Sequence, residues 1–133
     1  FEENSDTTLI HAKEFTNSNL EGLDLLVVGT PTHGGRYTKP VSNFIKALTA
    51  ESLKAVKVAA FDTSVPKEDQ SPFGKFIIGV FKNAAPRLLK ALTKVGGQEI
   101  GFEIFWVLDT KGPLKDGELA RAEQWAKTLI DRI

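Results

Sequence analysis

The chain has neither cysteine nor methionine, and its 133 residues include only two histidines, one tyrosine and two tryptophans. Without cysteine there is no disulfide, no thiolate nucleophile and no iron–sulfur ligation, so any redox chemistry must come from a bound cofactor. The two histidines, His11 and His33, are too few for a histidine-built metal site, and no metal ligand is expected. Charge of one sign is also lacking: seventeen basic residues balance seventeen acidic ones, for a formal net charge of zero. Non-specific nucleic-acid binding needs a positive field that this chain does not have, so no nucleic-acid partner is expected. No run approaches the roughly 20 apolar residues that span a bilayer, and no basic-apolar signal segment opens the chain. A soluble cytoplasmic protein with no membrane partner is the expectation. There is no Ser-His-Asp pattern, paired-carboxylate site or Walker loop, which leaves hydrolase and NTPase readings without support and no catalytic residue assigned. The missing methionine, with an opening at Phe1-Glu2-Glu3-Asn4, predicts that the natural chain starts earlier.

What is present reads as one α/β domain over residues 1–133, slightly short for a complete five-stranded doubly wound sheet. Thr8 to Ala12 is a short strand candidate. Leu23 to Thr30 is a strand apolar enough to be covered on both faces, as parallel strands are. Pro31, which cannot donate to a ladder, ends it, and Gly34-Gly35 then permits backbone angles closed to other residues. Val41, Phe44, Ile45 and Leu48 mark one helical face, with Pro40 in its first turn. Lys54 to Phe61 predicts the next strand, with its exit loop beginning at Asp62-Thr63-Ser64. Phe73, Phe76, Ile77, Val80 and Phe81 mark a second helical face, read as core with an interface or lid as the alternative. Pro86 begins a segment bearing Leu88, Leu89, Leu92 and Val95 and stopped by Gly96-Gly97. Ile100 to Leu108 is the last strand. Asp116 is placed to cap a final helix whose inner stripe is Leu119, Ala122, Ala126, Leu129, Ile130 and Ile133. Strands alternating with helices predict a parallel sheet with right-handed crossovers, and loops at the carboxyl ends of such strands are where open α/β sheets bind ligands.

The segment Asp24–Arg36 with its Thr-Pro-Thr-His-Gly-Gly loop resembles the third strand and first flavin-contacting loop of the flavodoxin family. The likeness continues through Phe61-Asp62-Thr63, Ala84-Ala85-Pro86-Arg87 and the run Gly112 to Leu119. It implies a flavodoxin-like doubly wound parallel sheet, a three-layer α/β/α arrangement, with FMN as cofactor. It also implies an N-terminally incomplete domain. Flavodoxin sheets run 2-1-3-4-5, and this chain opens just before the second strand, without the first, central strand and the phosphate loop that follows it. The expectation is a further N-terminal segment, or else a borrowed, exchanged or rearranged strand.

By that resemblance Thr30, Pro31, Thr32, His33, Gly34, Gly35 and Arg36 line one side of the flavin ring, and Asp62, Thr63 and Ser64 wrap its pyrimidine end. Phe73 is the one aromatic near the second loop, where relatives often place a capping ring. Each has a plainer alternative: an ordinary Gly-rich turn for Gly34-Gly35, a surface histidine for His33, a solvated cation for Arg36, and a turn or cap residue for Asp62. His11 is read as exposed or locally hydrogen-bonded. The functional reading is FMN-dependent electron transfer between redox partner proteins, with homo-oligomerisation or strand exchange as a further expectation. The alternatives are an NAD(P)H-dependent quinone or flavin reductase of the same superfamily and a flavin-free scaffold.

Overall fold

The computed structural model describes residues 1, 5–66 and 83–133. The helical face from Phe73 to Phe81 lies outside the described residues. After a single 3-10 turn at Asn17–Leu20 come strand β1 (Leu25–Pro31), helix α1 (Lys39–Ala47), strand β2 (Lys57–Ser64), helix α2 (Ala84–Lys94), strand β3 (Gln98–Trp106) and helix α3 (Glu118–Ile130). Among the described residues the three strands form one parallel sheet in the order β1-β2-β3. That is the alternating α/β pattern expected, and the fold is flavodoxin-like.

The residues explain the layering. β2 carries Val58, Ala59 and Ala60 with no exposed surface, and it lies between the other two strands. The small alanines let helices approach the middle of the sheet closely. On one face Val28, Val58 and Ala60 pack against Val41 and Phe44 of α1 and Ala85, Leu88, Leu89 and Leu92 of α2. On the other face Phe61 and Phe105 meet Trp125 of α3 in an edge-to-face trio, with ring centroids 5.8 to 6.1 Å apart. That trio depends on Gly29. A Cβ there would run into the Phe61 ring, which lies over β1 where glycine has no side chain.

Several element boundaries differ from the expectation. Thr8 to Ala12 forms no strand: Leu9 is 92% exposed, and Ala12–Glu14 is a turn closed by the Glu14 N–H on the His11 carbonyl. His11 accepts the Lys13 N–H at Nδ1, 3.1 Å, the local bond expected of it. β2 starts at Lys57 and runs on through Asp62, Thr63 and Ser64, because β3 still supplies a partner at that level, Ser64 opposite Trp106. On α3 the expected stripe fails at both ends, with Leu119 67% and Ile133 49% exposed, while Ala126 and Leu129 are buried as expected. The cap of α3 is Gly117 at φ 85°, not Asp116. Glu118 turns inward where Leu119 was expected to, because its carboxylate has a backbone donor to satisfy. β1 ends the sheet among the described residues, and its Leu25, Leu26 and Val27 are only half-buried.

Candidate functional site

The carboxyl ends of the strands gather most of the expected residues. In register, Thr30 lies opposite Asp62 and Pro31 opposite Thr63, and the Thr32 N–H donates to the Thr63 carbonyl at 3.0 Å, extending the ladder past Pro31. Next, His33 and Arg36 exchange two backbone hydrogen bonds of 3.0 Å around Gly34-Gly35. Both glycines have positive φ, 57° and 75°, which makes a two-residue turn that side-chain-bearing residues adopt only with strain. Gly34 stands clear: a Cβ there would meet nothing within 4 Å. The Thr30 hydroxyl, buried, accepts the Thr38 N–H at 3.2 Å and so holds both ends of the loop together. His33, Arg36 and Pro31 remain exposed on the rim, and Gly35 is buried. Phe73 lies outside the described residues.

Asp62, Ser64 and Thr32 do something the sequence did not reveal. Asp62 is fully buried, and both its oxygens accept hydrogen bonds: Oδ1 from the Ser64 hydroxyl at 2.8 Å, Oδ2 from the Ala85 N–H at 2.7 Å. Ser64 in turn accepts from the Asn83 amide at 3.3 Å. Thr32 Oγ1 accepts the Ala84 N–H at 3.0 Å. The third residue of α2 is Pro86, which has no N–H. Every donor of the first three positions of α2 is therefore used by the chain's own oxygens or absent. A carboxylate beside a helix N-terminus also complements the helix dipole. Ala84-Ala85, known from sequence only as part of a resembling motif, are the donors; no local pattern ties them to Asp62, 23 residues upstream.

The third loop rises beside the second. Val107 donates to Ser64 and bridges to Leu114, and Leu108 donates to Pro113 at 2.9 Å. Val65, Leu108 and Leu114 stay exposed, at 43%, 61% and 42%, so this edge has an apolar rim after β2 and β3 and a polar glycine turn after β1. Behind the rim, Glu118 accepts the Trp106 N–H at 2.8 Å and is clasped by Arg121 at 2.6 and 3.1 Å, while Arg121 also meets Glu103 at 2.8 Å and lies 4.8 Å from the centre of the Phe105 ring. Hydrogen bonding from Arg121 holds the Glu118 carboxyl below its ordinary range, overcoming the opposing effect of burial; Arg121 is raised in turn, chiefly by its bond to Glu118. Nothing in the sequence marked this cluster; the i,i+3 spacing of Glu118 and Arg121 is its one local signal.

This is a parallel α/β fold with a glycine turn at its carboxyl edge, and comparison with known proteins agrees on the fold. No family model and no curated protein sequence matches the chain. Among solved structures, it superposes on a flavodoxin of Streptococcus pneumonia TIGR4 with a TM-score of 0.68 at 14% identity, covering 99% of this chain and 82% of that one. A thermophilic tryptophan halogenase from Streptomycin violaceusniger gives a TM-score of 0.58 at 14% identity, covering 84% and 69% of the two chains. Among the described residues, no helix is long and apolar enough to cross a membrane.

FMN, which the flavodoxin resemblance implies, has a flat ring and a phosphate, and the two ends fare differently here. A ring suits the edge: a free-standing glycine turn offers close backbone approach beside an apolar rim. For a phosphate, the first three positions of α2 leave no free N–H, because Thr32 and Asp62 take those of Ala84 and Ala85 and Pro86 has none. α1 has Pro40 among its first positions and spends the Thr38 N–H on Thr30. α3 begins with Glu118 and follows Asp116, both acidic.

Proposed function

We propose that this domain is a flavin-dependent electron carrier whose carboxyl-edge loops hold the flavin ring. The observation that carries the reading is the Gly34-Gly35 turn, both residues at positive φ and Gly34 unobstructed, at the end of the first strand of a flavodoxin-like sheet. Chemistry would be supplied by the flavin when bound; the chain's part is to position the ring and tune its surroundings. His33 and Arg36, exposed on either side of the turn, bring a titratable and a fixed positive group to the ring's edge. The reading carries with it the protein redox partners and cytoplasmic setting expected from the sequence.

The test is a titration of the purified chain with FMN, followed by flavin fluorescence. Saturable quenching at one flavin per chain is the expected result, weakened about tenfold by Gly34→Val, a loss of about 1.4 kcal/mol. A folded chain that leaves flavin fluorescence unchanged sinks the proposal. Turnover of NADPH by the loaded protein would move it towards the reductase alternative.

A further inference from the structure

We propose that the outward face of α1 and α2 docks an acidic segment of a protein partner. The proposal does not depend on the flavin reading.

The formal net charge of zero conceals a segregation of sign. Two stretches, Leu25 to Ala50 and Asn83 to Gln98, hold six of the seventeen basic residues and none of the seventeen acidic ones. They include both helices of one sheet face, since α1 and α2 bury Val41, Phe44, Leu88, Leu89 and Leu92 in the same core. The six cations, Arg36, Lys39, Lys46, Arg87, Lys90 and Lys94, are all exposed. Helical spacing aligns them. Lys39 and Lys46 stand at i and i+7 on α1, and Arg87, Lys90 and Lys94 at i, i+3 and i+7 on α2, so each row runs about 10 Å along its helix. On α2 that row lies opposite the buried Ala85, Leu88, Leu89 and Leu92.

A helix face that only needs to be soluble can intersperse carboxylates at i+3 or i+4, as α3 does with Glu118 and Arg121. α1 and α2 forgo that support. Arg87 with Lys90, and Lys90 with Lys94, set like charges at the spacings where they repel. Lys39 is the first residue of α1 and Arg87 closes the first turn of α2; no acidic residue shares either turn, and the helix dipole disfavours a cation there. An anionic surface bound to this face relieves each of these costs.

Carboxylates border the face and so select the partner. Phe15 packs edge-on against Phe44 and brings the exposed Glu14 beside α1, and the exposed Glu51 and Glu99 follow shortly after the two helices. A nucleic acid or an anionic bilayer extends its charge past such a face and meets those carboxylates, and a domain of zero net charge offers it little long-range attraction. An acidic protein segment matches the face in size, and its carboxylates suit the guanidinium forks of Arg36 and Arg87. Both arginines lie at the carboxyl edge: Arg36 closes the glycine turn, and Arg87 follows Ala84, whose N–H reaches Thr32. On the flavin reading, a partner seated there is the redox protein, beside the ring.

The test is a fluorescence-anisotropy titration, without flavin, of a fluorescein-labelled peptide of alternating glutamate and serine with the whole chain, at about 0.1 M ionic strength, where the Debye length is ~10 Å. Saturable binding is expected. It should weaken about fivefold in Lys90→Gln/Lys94→Gln, and by less than about twofold in Lys111→Gln/Lys127→Gln, which removes the same charge from exposed positions elsewhere. Absence of binding up to about 1 mM peptide, or equal weakening by the two double variants, overturns the proposal. Tighter binding to a short DNA duplex, or to equimolar phosphatidylcholine–phosphatidylserine vesicles, than to the peptide at equal anion concentration also overturns it, and makes the occupant a nucleic acid or a membrane. The peptide titration contains no flavin and the FMN titration no peptide, so either reading can fail without the other.

Discussion

Asp62 and Glu118 perform the same mechanical task by different chemistry. Each is a buried carboxylate that ties the carboxyl end of a strand to the start of a helix, Asp62 joining β2 to α2 and Glu118 joining β3 to α3. The groups hydrogen-bonded to Asp62 are neutral, a hydroxyl and a backbone N–H, and its position at the N-terminus of α2 adds the favourable end of a helix dipole. Glu118 instead relies on an ion pair with Arg121, whose side chain is 35% exposed and shared with Glu103. Asp62 is served only by neutral groups built into the interior, whereas Glu118 adds to its backbone donor a charged side chain that is partly exposed. The two connections should therefore respond differently to mutation.

The largest effect expected is at the interior connection. Asp62→Ala strands the Ala85 N–H and the Ser64 hydroxyl in a buried space, and it should cost about 3 kcal/mol. Urea unfolding would measure this, and a loss under about 1 kcal/mol would mean that water reaches the site and that the contrast between the two carboxylates is false. Glu118→Gln comes next, at about 1 kcal/mol, since a partly exposed arginine recovers water and keeps Glu103.

Glu118 also carries a pH signature. Because the folded-state pKa of Glu118 lies below its ordinary value of 4.5, its contribution is fully present above that value and is lost as pH falls through the lower folded one. Stability measured from neutral pH down to about pH 3 should decline less steeply in Glu118→Gln than in the parent chain. Equal slopes would remove Glu118 from the acid response. The smallest effect belongs to Thr32→Val, which takes one acceptor from α2 and leaves Asp62 in place. A loss of about 0.5 kcal/mol is expected in chemical unfolding, with Thr32→Ser close to the parent because the hydroxyl is kept.

How much of this was legible in the sequence varies with the range of the interaction. The α1 face was readable because Val41 and Phe44 repeat at helical spacing. The stop after α2 was readable too, for Gly96 adopts φ 99° as a helix end requires. The glycine turn at 34–35 needed only its own two residues. Asp62 was read as a loop ligand or a turn residue because nothing within several positions of it reveals its partner. Leu119 was assigned to the core by periodicity, and the assignment failed because the Trp106 N–H required a carboxylate and rotated the start of α3 to bring Glu118 inward.

The sequence by itself determined the class of fold, the alternation of strands and helices from β1 onward among the described residues and the conformation of the glycine turn, since these follow from hydrophobic period and from backbone angles that glycine and proline set locally. Only the tertiary structure decided which helix starts were spent. That depended on Thr32 and Asp62 meeting Ala84 and Ala85 across 52 and 23 residues of chain. A buried N–H takes whichever acceptor the packing brings to it, and packing brings together residues that no local pattern connects.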